Sequence, residues 1–172
     1  MIFVTVGTHE QQFNRLVEYI DNLKAAGRIQ EDVIIQTGFS TYEPRHCQWQ
    51  KLYPYPEMVR LVEQARIVIT HGGPSSFIMP LQVGKIPVVV PRQKQFDEHV
   101  NNHQLEFCRE VDARQKNIIL VEDIHMLESV LSGYDMLAEK MDAAQNSNNR
   151  KFCEAFSQLA RNLLGEDVHT QV

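Results

Sequence analysis

A chain of 172 residues with 43% hydrophobic content has the size and composition of one soluble globular domain and is too short for two full ones. Its formal net charge of −5 argues against nonspecific nucleic-acid binding, which needs a basic face. Cys47, Cys108 and Cys153 are scattered and form no CxxC pair, so they read as reduced thiols of a cytosolic protein, neither a disulfide frame nor a zinc site.

Residues 2–6 (IFVTV) predict a first strand, with no signal peptide ahead of it. No stretch approaches the roughly 20 apolar residues that span a bilayer, so membrane association is expected only through a partner or a surface patch. Gly7-Thr8-His9-Glu10 follows as a loop. A helix is predicted over residues 11–26 from the spacing of Phe13, Leu16, Val17, Ile20 and Leu23, with Gly27 suited to its C-cap. Residues 32–37 predict a second strand ended by Gly38. Residues 39–56 read as loop with a short strand near 48–53, and 56–64 as a helix with Pro56 in its first turn.

The most informative stretch is 65–104. Residues 66–70 and 86–90 are β-branched runs without polar alternation, as expected of parallel strands covered on both faces. Between them His71-Gly72-Gly73-Pro74-Ser75-Ser76 forms a tight turn, and 77–83 a helix. Gly72 and Gly73 allow a sharp turn and close approach of backbone to a ligand. Ser75 and Ser76 put hydroxyls at a helix N-terminus, whose partial positive charge suits a phosphate or diphosphate. The same residues alone also fit a ligand-free βα turn with a serine cap. After the second strand, residues 91–103 are dense in hydrogen-bonding side chains. Ligands of open α/β sheets bind outside the carboxyl ends of strands, where both polar segments lie.

Beyond it, the helix begun near Asp97 is expected to reach about residue 110, residues 117–121 form a last strand, and Asp123 caps a helix to about 131. Alternating strands and helices imply an α/β, Rossmann-like, mostly parallel sheet with helices on both faces and strand order 3-2-1-4-5-6. Residues 1–142 form this domain; residues 143–172 form a polar linker and an amphipathic helix near 150–164, packing on the domain or on a partner.

His71-Gly72-Gly73 with its serine pair, Gly84-Lys85-x-Pro87, Pro91-Arg92-Gln93, Glu98-His99-x-Asn101 and the opening Val4-Thr5-Val6-Gly7-Thr8-His9-Glu10 resemble the donor-binding half of GT-B glycosyltransferases. The nearest likeness is to stand-alone C-terminal domains of family 28 glycosyltransferases, in the manner of the catalytic small subunits of two-component bacterial capsule and exopolysaccharide enzymes. The resemblance implies an inverting, metal-independent hexosyltransferase subunit with no cofactor beyond its UDP-sugar donor, UDP-galactose being the first choice. It further implies a lipid-linked saccharide acceptor and a membrane-anchored partner supplying the acceptor-binding half, which places the chain in the cytoplasm at the inner membrane face. A non-catalytic nucleotide- or phosphate-binding regulatory module is the alternative. A nicotinamide domain is disfavoured, because the first turn is not GxGxxG and the second strand ends in Gln36-Thr37 without an acidic ribose ligand.

By the same resemblance His71 stabilises the departing diphosphate, and Gly72, Gly73, Ser75 and Ser76 cradle it. Arg92 and Gln93 contact phosphate or sugar, while Glu98, His99 and Asn101 hold the sugar. Gly7 and Thr8 border the cleft. His9 is a candidate general base or phosphate contact, with a plain surface-loop histidine as the other reading. Family members carry a ribose-binding glutamate on the helix after the glycine turn. The aligned position here is Met79, followed by Pro80, so that role is not transferred.

Overall fold

The computed structural model describes residues 1–141. The predicted linker and helix near 150–164 lie outside the described residues. Six strands, β1 (Ile2–Thr5), β2 (Val33–Gln36), β3 (Gln48–Gln50), β4 (Ile67–His71), β5 (Val88–Val90) and β6 (Ile119–Leu120), form one all-parallel sheet. Its order is β3-β2-β1-β4-β5-β6, the expected one. Helices α1 (Asn14–Ala25), α2 (Tyr55–Gln64), α3 (Pro74–Gln82), α4 (His103–Gln115), α5 (Leu127–Ser132) and α6 (Tyr134–Glu139) make the crossovers and the closing pair.

Alternation along each strand divides the core in two. Ile2, Val4, Val33, Ile35, Ile67, Ile69, Val88 and Val90 face one way, against Phe13, Leu16, Val17 and Ile20 of the α1 segment and Leu127, Leu131 and Tyr134. Phe3 and Val68 face the other way, against Leu61 and Val62 of α2; Val89 meets Phe77 of α3 and Cys108 and Val111 of α4. Both faces are dry, which is why these strands show no polar alternation in sequence.

Two helices start later than their periodicity suggests. α1 begins at Asn14 because residues 7–13 are held as a loop: Gly7 has φ +76°, and Ser40 Oγ and Gln12 Oε1 accept the Phe13 and Asn14 N–H groups. α4 begins at His103, six residues after the expected Asp97. Residues 94–96 make a 3₁₀ turn, Asp97 is left-handed, and the Asn101 side chain accepts the His103 N–H. Asp123 does cap the next turn, accepting from His125 N–H.

One side chain ties the carboxyl-end loops together. Arg92 is the largest wholly buried side chain among the described residues. Its Nη1 donates to the carbonyls of Gln11, Gln12 and Glu98, and its Nη2 to Val6 O at 2.9 Å. The guanidinium also lies 4.9 Å from the Phe13 ring centroid. Burial pushes its pKa down to about 10, which leaves it cationic at neutral pH. Glu98, also wholly buried, accepts from Arg15 Nε and Nη2 and from Gln93 N–H. Replacing Arg92 by methionine would orphan these buried carbonyls. The expected loss is about 3 kcal/mol, read as a melting midpoint lower by roughly 6–12 °C; a midpoint within 2 °C of wild type would show that the knot is dispensable.

Candidate donor-binding site at the carboxyl edge of the sheet

Three loops leave the carboxyl ends of the adjacent strands β1, β4 and β5 and meet at one edge. The first carries Thr8 and His9, the second Gly72 to Ser76, the third Gln93 to Asn101. His71 is their common neighbour. It ends β4, is 8% exposed, and lies between two glycines. A Cβ on Gly7 would stand 2.0 Å from its Nε2, and a Cβ on Gly73 would stand 2.3 Å from its Cε1. The positive φ of Gly7 and the missing Cβ of both residues therefore make room for an imidazole.

Gly72 is likewise packed inward. A Cβ there would press on Cys108 Sγ at 3.0 Å and on Gln104 and Pro91 at 3.1 Å. Packing within the protein is thus a reason of its own for these glycines: the space a Cβ would occupy is filled by neighbouring protein atoms. The backbone of the turn is also partly committed. Pro74 brings no N–H, Ser76 N–H returns to Gly73 O, and Gly73 N–H donates to His71 Nδ1 at 3.0 Å. α3 begins at Pro74, so Ser75 and Ser76 lie in its first turn, with Ser75 exposed and Ser76 half-buried. Their hydroxyls are what the turn presents. His71 Nε2 lies 3.5 Å from Ser76 Oγ.

Burial pushes the His71 pKa down to about 3, and the positive charge of Arg92 acts in the same direction. His71 is therefore neutral at ordinary pH, and its ring can act as a hydrogen-bond donor and acceptor. Around it, His9 and His99 are half-buried with ring centroids 4.7 Å apart, and His99 and His103 make an edge contact at 4.4 Å. His103 was not singled out by its sequence context. Asn101 is exposed, with its Oδ1 capping His103 N–H. Thr8 is exposed beside His9.

The structure gives Arg92, Gln93 and Glu98 other work than touching a ligand. All three are buried, and apart from Arg92 Nε, which has no partner, their side-chain polar atoms are bound within the protein; Gln93 donates to Glu122 O at 2.7 Å and accepts from Gln95. They hold the third loop in place. Met79, at the aligned ribose position, packs against the Phe3, Leu61 and Val68 cluster, so that side chain belongs to the core. Pro80 inside α3 removes the N–H that would reach the Ser76 carbonyl. A groove of about 1130 Å³ opens beside the third loop, lined by Arg15, Gln95, Phe96, Arg109 and His125 among others, and not by residues 71–76.

The profile of the glycosyltransferase family 28 C-terminal domain matches residues 1–163. The chain belongs to this family. Among curated proteins this family 28 domain is 29% identical over 119 residues to the UDP-N-acetylglucosamine transferase subunit ALG13 of Homo sapiens, covering 64% of this chain and 10% of that protein. The Mus musculus counterpart is 30% identical over 120 residues, covering 63% and 10%. The chain thus spans about a tenth of the length of these relatives. Among solved structures it resembles the glycosyltransferase SnogD from Streptomyces nogalater, with a TM-score of 0.56, 15% identity, and coverage of 92% of this chain and 43% of that one. The glycotransferase of kitacinnamycin gives a TM-score of 0.50 at 18% identity, covering 80% and 36%. These structural likenesses establish the α/β Rossmann-like fold.

The buried imidazole sets an acid dependence. The unfolded chain takes a proton on His71 below about pH 6.5, which the folded chain refuses until about pH 3. In that window the unfolded state binds more protons, so stability rises with pH and falls as pH drops from about 6.5 toward 3. The His71 ring is expected to keep the ¹⁵N signature of a neutral imidazole at pH 5. A His71→Asn variant should show a stability slope shallower by up to one proton, about 1.4 kcal/mol per pH unit. An imidazolium spectrum at pH 5 would contradict the burial.

Proposed function

We propose that this family 28 domain is the donor-binding, catalytic subunit of a two-component, inverting glycosyltransferase. It takes a UDP-sugar, UDP-galactose being the first choice, and passes the sugar to a lipid-linked saccharide of capsule or exopolysaccharide synthesis. The observation that carries this reading is the convergence of the β1, β4 and β5 loops on one patch of uncharged donors, in a chain that its family match marks as a glycosyltransferase domain. Such donors, fixed before the reaction, stabilise the charge that develops on a departing diphosphate. The reading needs no resident metal, since hydroxyl and imidazole donors line the patch.

A partner subunit enters the proposal for a physical reason. The patch lies on one open edge of the sheet, and transfer to a hydroxyl other than water needs water shut out. The partner would cover the donor, bind the acceptor and hold the pair at the cytoplasmic face of the membrane. Within the described residues no helix is long and apolar enough to cross a membrane.

Calorimetric titration with UDP, UDP-galactose, UDP-N-acetylglucosamine, ATP and NAD tests the donor class. UDP and its sugars should bind, and ATP and NAD should not. Ser76→Ala should weaken UDP by about tenfold, the worth of one charge-assisted hydrogen bond. Preference for ATP, or no nucleotide binding, would overturn the transferase reading and favour a phosphate-binding regulatory module. Turnover should rise on adding the partner subunit, and full activity of the lone chain would remove the need for one.

A further inference from the structure

Three histidines at the carboxyl edge share one local device. His9 Nδ1 accepts the N–H of Gln11 at 3.1 Å, His71 Nδ1 that of Gly73 at 3.0 Å, and His99 Nδ1 that of Asn101 at 3.4 Å. In each case the donor is the backbone two residues on, so the side chain closes a small turn, at the end of β4 for His71 and within the loops after β1 and β5 for His9 and His99. A backbone N–H can only donate. The ring nitrogen facing it must therefore carry a lone pair, which in a neutral imidazole puts the proton on Nε2. An imidazolium would oppose two N–H groups and break the turn. In the neutral ring Nε2–H is then the remaining hydrogen-bonding atom.

We propose that His9 and His99 serve the diphosphate of the donor as uncharged Nε2–H donors, that His71 positions Ser76 for the same task, and that none of the three takes the acceptor's proton. The inference rests on the UDP-sugar reading above. In the transfer it describes, the acceptor hydroxyl oxygen bonds to the anomeric carbon as the bond from that carbon to the diphosphate oxygen breaks. The electron pair leaves with the diphosphate. The hydroxyl proton goes to a carboxylate or imidazole supplied by the second subunit. His9 is ill suited to receive it, since its one lone pair is already occupied by Gln11 N–H.

His71 acts through another residue. With Nδ1 filled by Gly73 and Nε2 toward Ser76 Oγ, the ring makes that oxygen an acceptor and frees the serine proton to point onward. A run of donors results, from Gly73 N–H through the imidazole to the Ser76 hydroxyl. The neutral state that burial enforces on His71 agrees with this direction.

Two measurements on the full chain test the proposal. Long-range ¹H–¹⁵N spectra at pH 7 should show the Nε2–H tautomer for His9, His71 and His99, both free and with UDP added. An Nδ1–H tautomer or an imidazolium at His9 would overturn it. Titration with UDP then separates donor from base. His9→Ala should bind UDP about tenfold more weakly, while His9→Gln, whose amide N–H₂ can stand near the Nε2 position, should stay within about threefold of wild type. If His9→Ala binds as wild type does, the donor role falls while the transferase reading stands. If wild type itself fails to bind UDP, the transferase reading fails, and the donor role with it.

Discussion

Arg92 is the fixed point of this molecule. Its guanidinium is out of water and binds carbonyls from the end of β1, from the loop before α1 and from residue 98. A buried cation is tolerable when carbonyls take most of its donors, here all but Nε, and a counter-charge lies near. Glu98 provides the counter-charge and is itself clamped by Arg15 of α1. The loops carrying His9 and His99 are thereby locked to one another before any ligand arrives. The same positive charge adds to burial in keeping His71 neutral.

The second constraint is steric. Gly7 and Gly73, far apart in sequence, both close on one imidazole. A methyl group on either would evict the ring, and the ring holds the turn that displays Ser75 and Ser76. Rigidity here has a use. Donors that are already aimed need no reorganisation when charge develops on a leaving group. The buried polar groups Arg92, Glu98 and Gln93 act on the site through this geometry and not by contact.

Much of the fold was legible in the sequence because its signals are strong ones. Unbroken β-branched runs such as Ile67 to Thr70 can sit only in a doubly covered sheet, and the spacing from Phe13 to Leu23 allows only a helix. The strand order followed from alternation and handed crossovers. Helix starts were misjudged where side chains satisfy the backbone in other ways, at Ser40 with Phe13 and at Asn101 with His103. The site was legible as a location, since His71 to Ser76 and the polar run after Val90 lie at adjacent strand ends. Individual roles were less so. An arginine that binds phosphate and one that binds buried carbonyls look alike in sequence, as do a glycine beside a ligand and one beside an imidazole. The histidine turns were visible only as a histidine in each of the three segments that follow β1, β4 and β5 or end them, since the N–H two residues on belongs to any residue type.

On the proposed reading, the donor-lined edge of the parallel sheet is one half of a cleft, and its open side is where a donor nucleotide would rest. The most direct measurement is a two-dimensional amide spectrum of the labelled full chain titrated with UDP. The account predicts that the largest shifts fall on Thr8, His9, Gly73, Ser75 and Ser76, with the buried Arg92 and Glu98 amides little moved. Shifts centred on Phe96, Arg109 and His125, along the neighbouring groove, would contradict it.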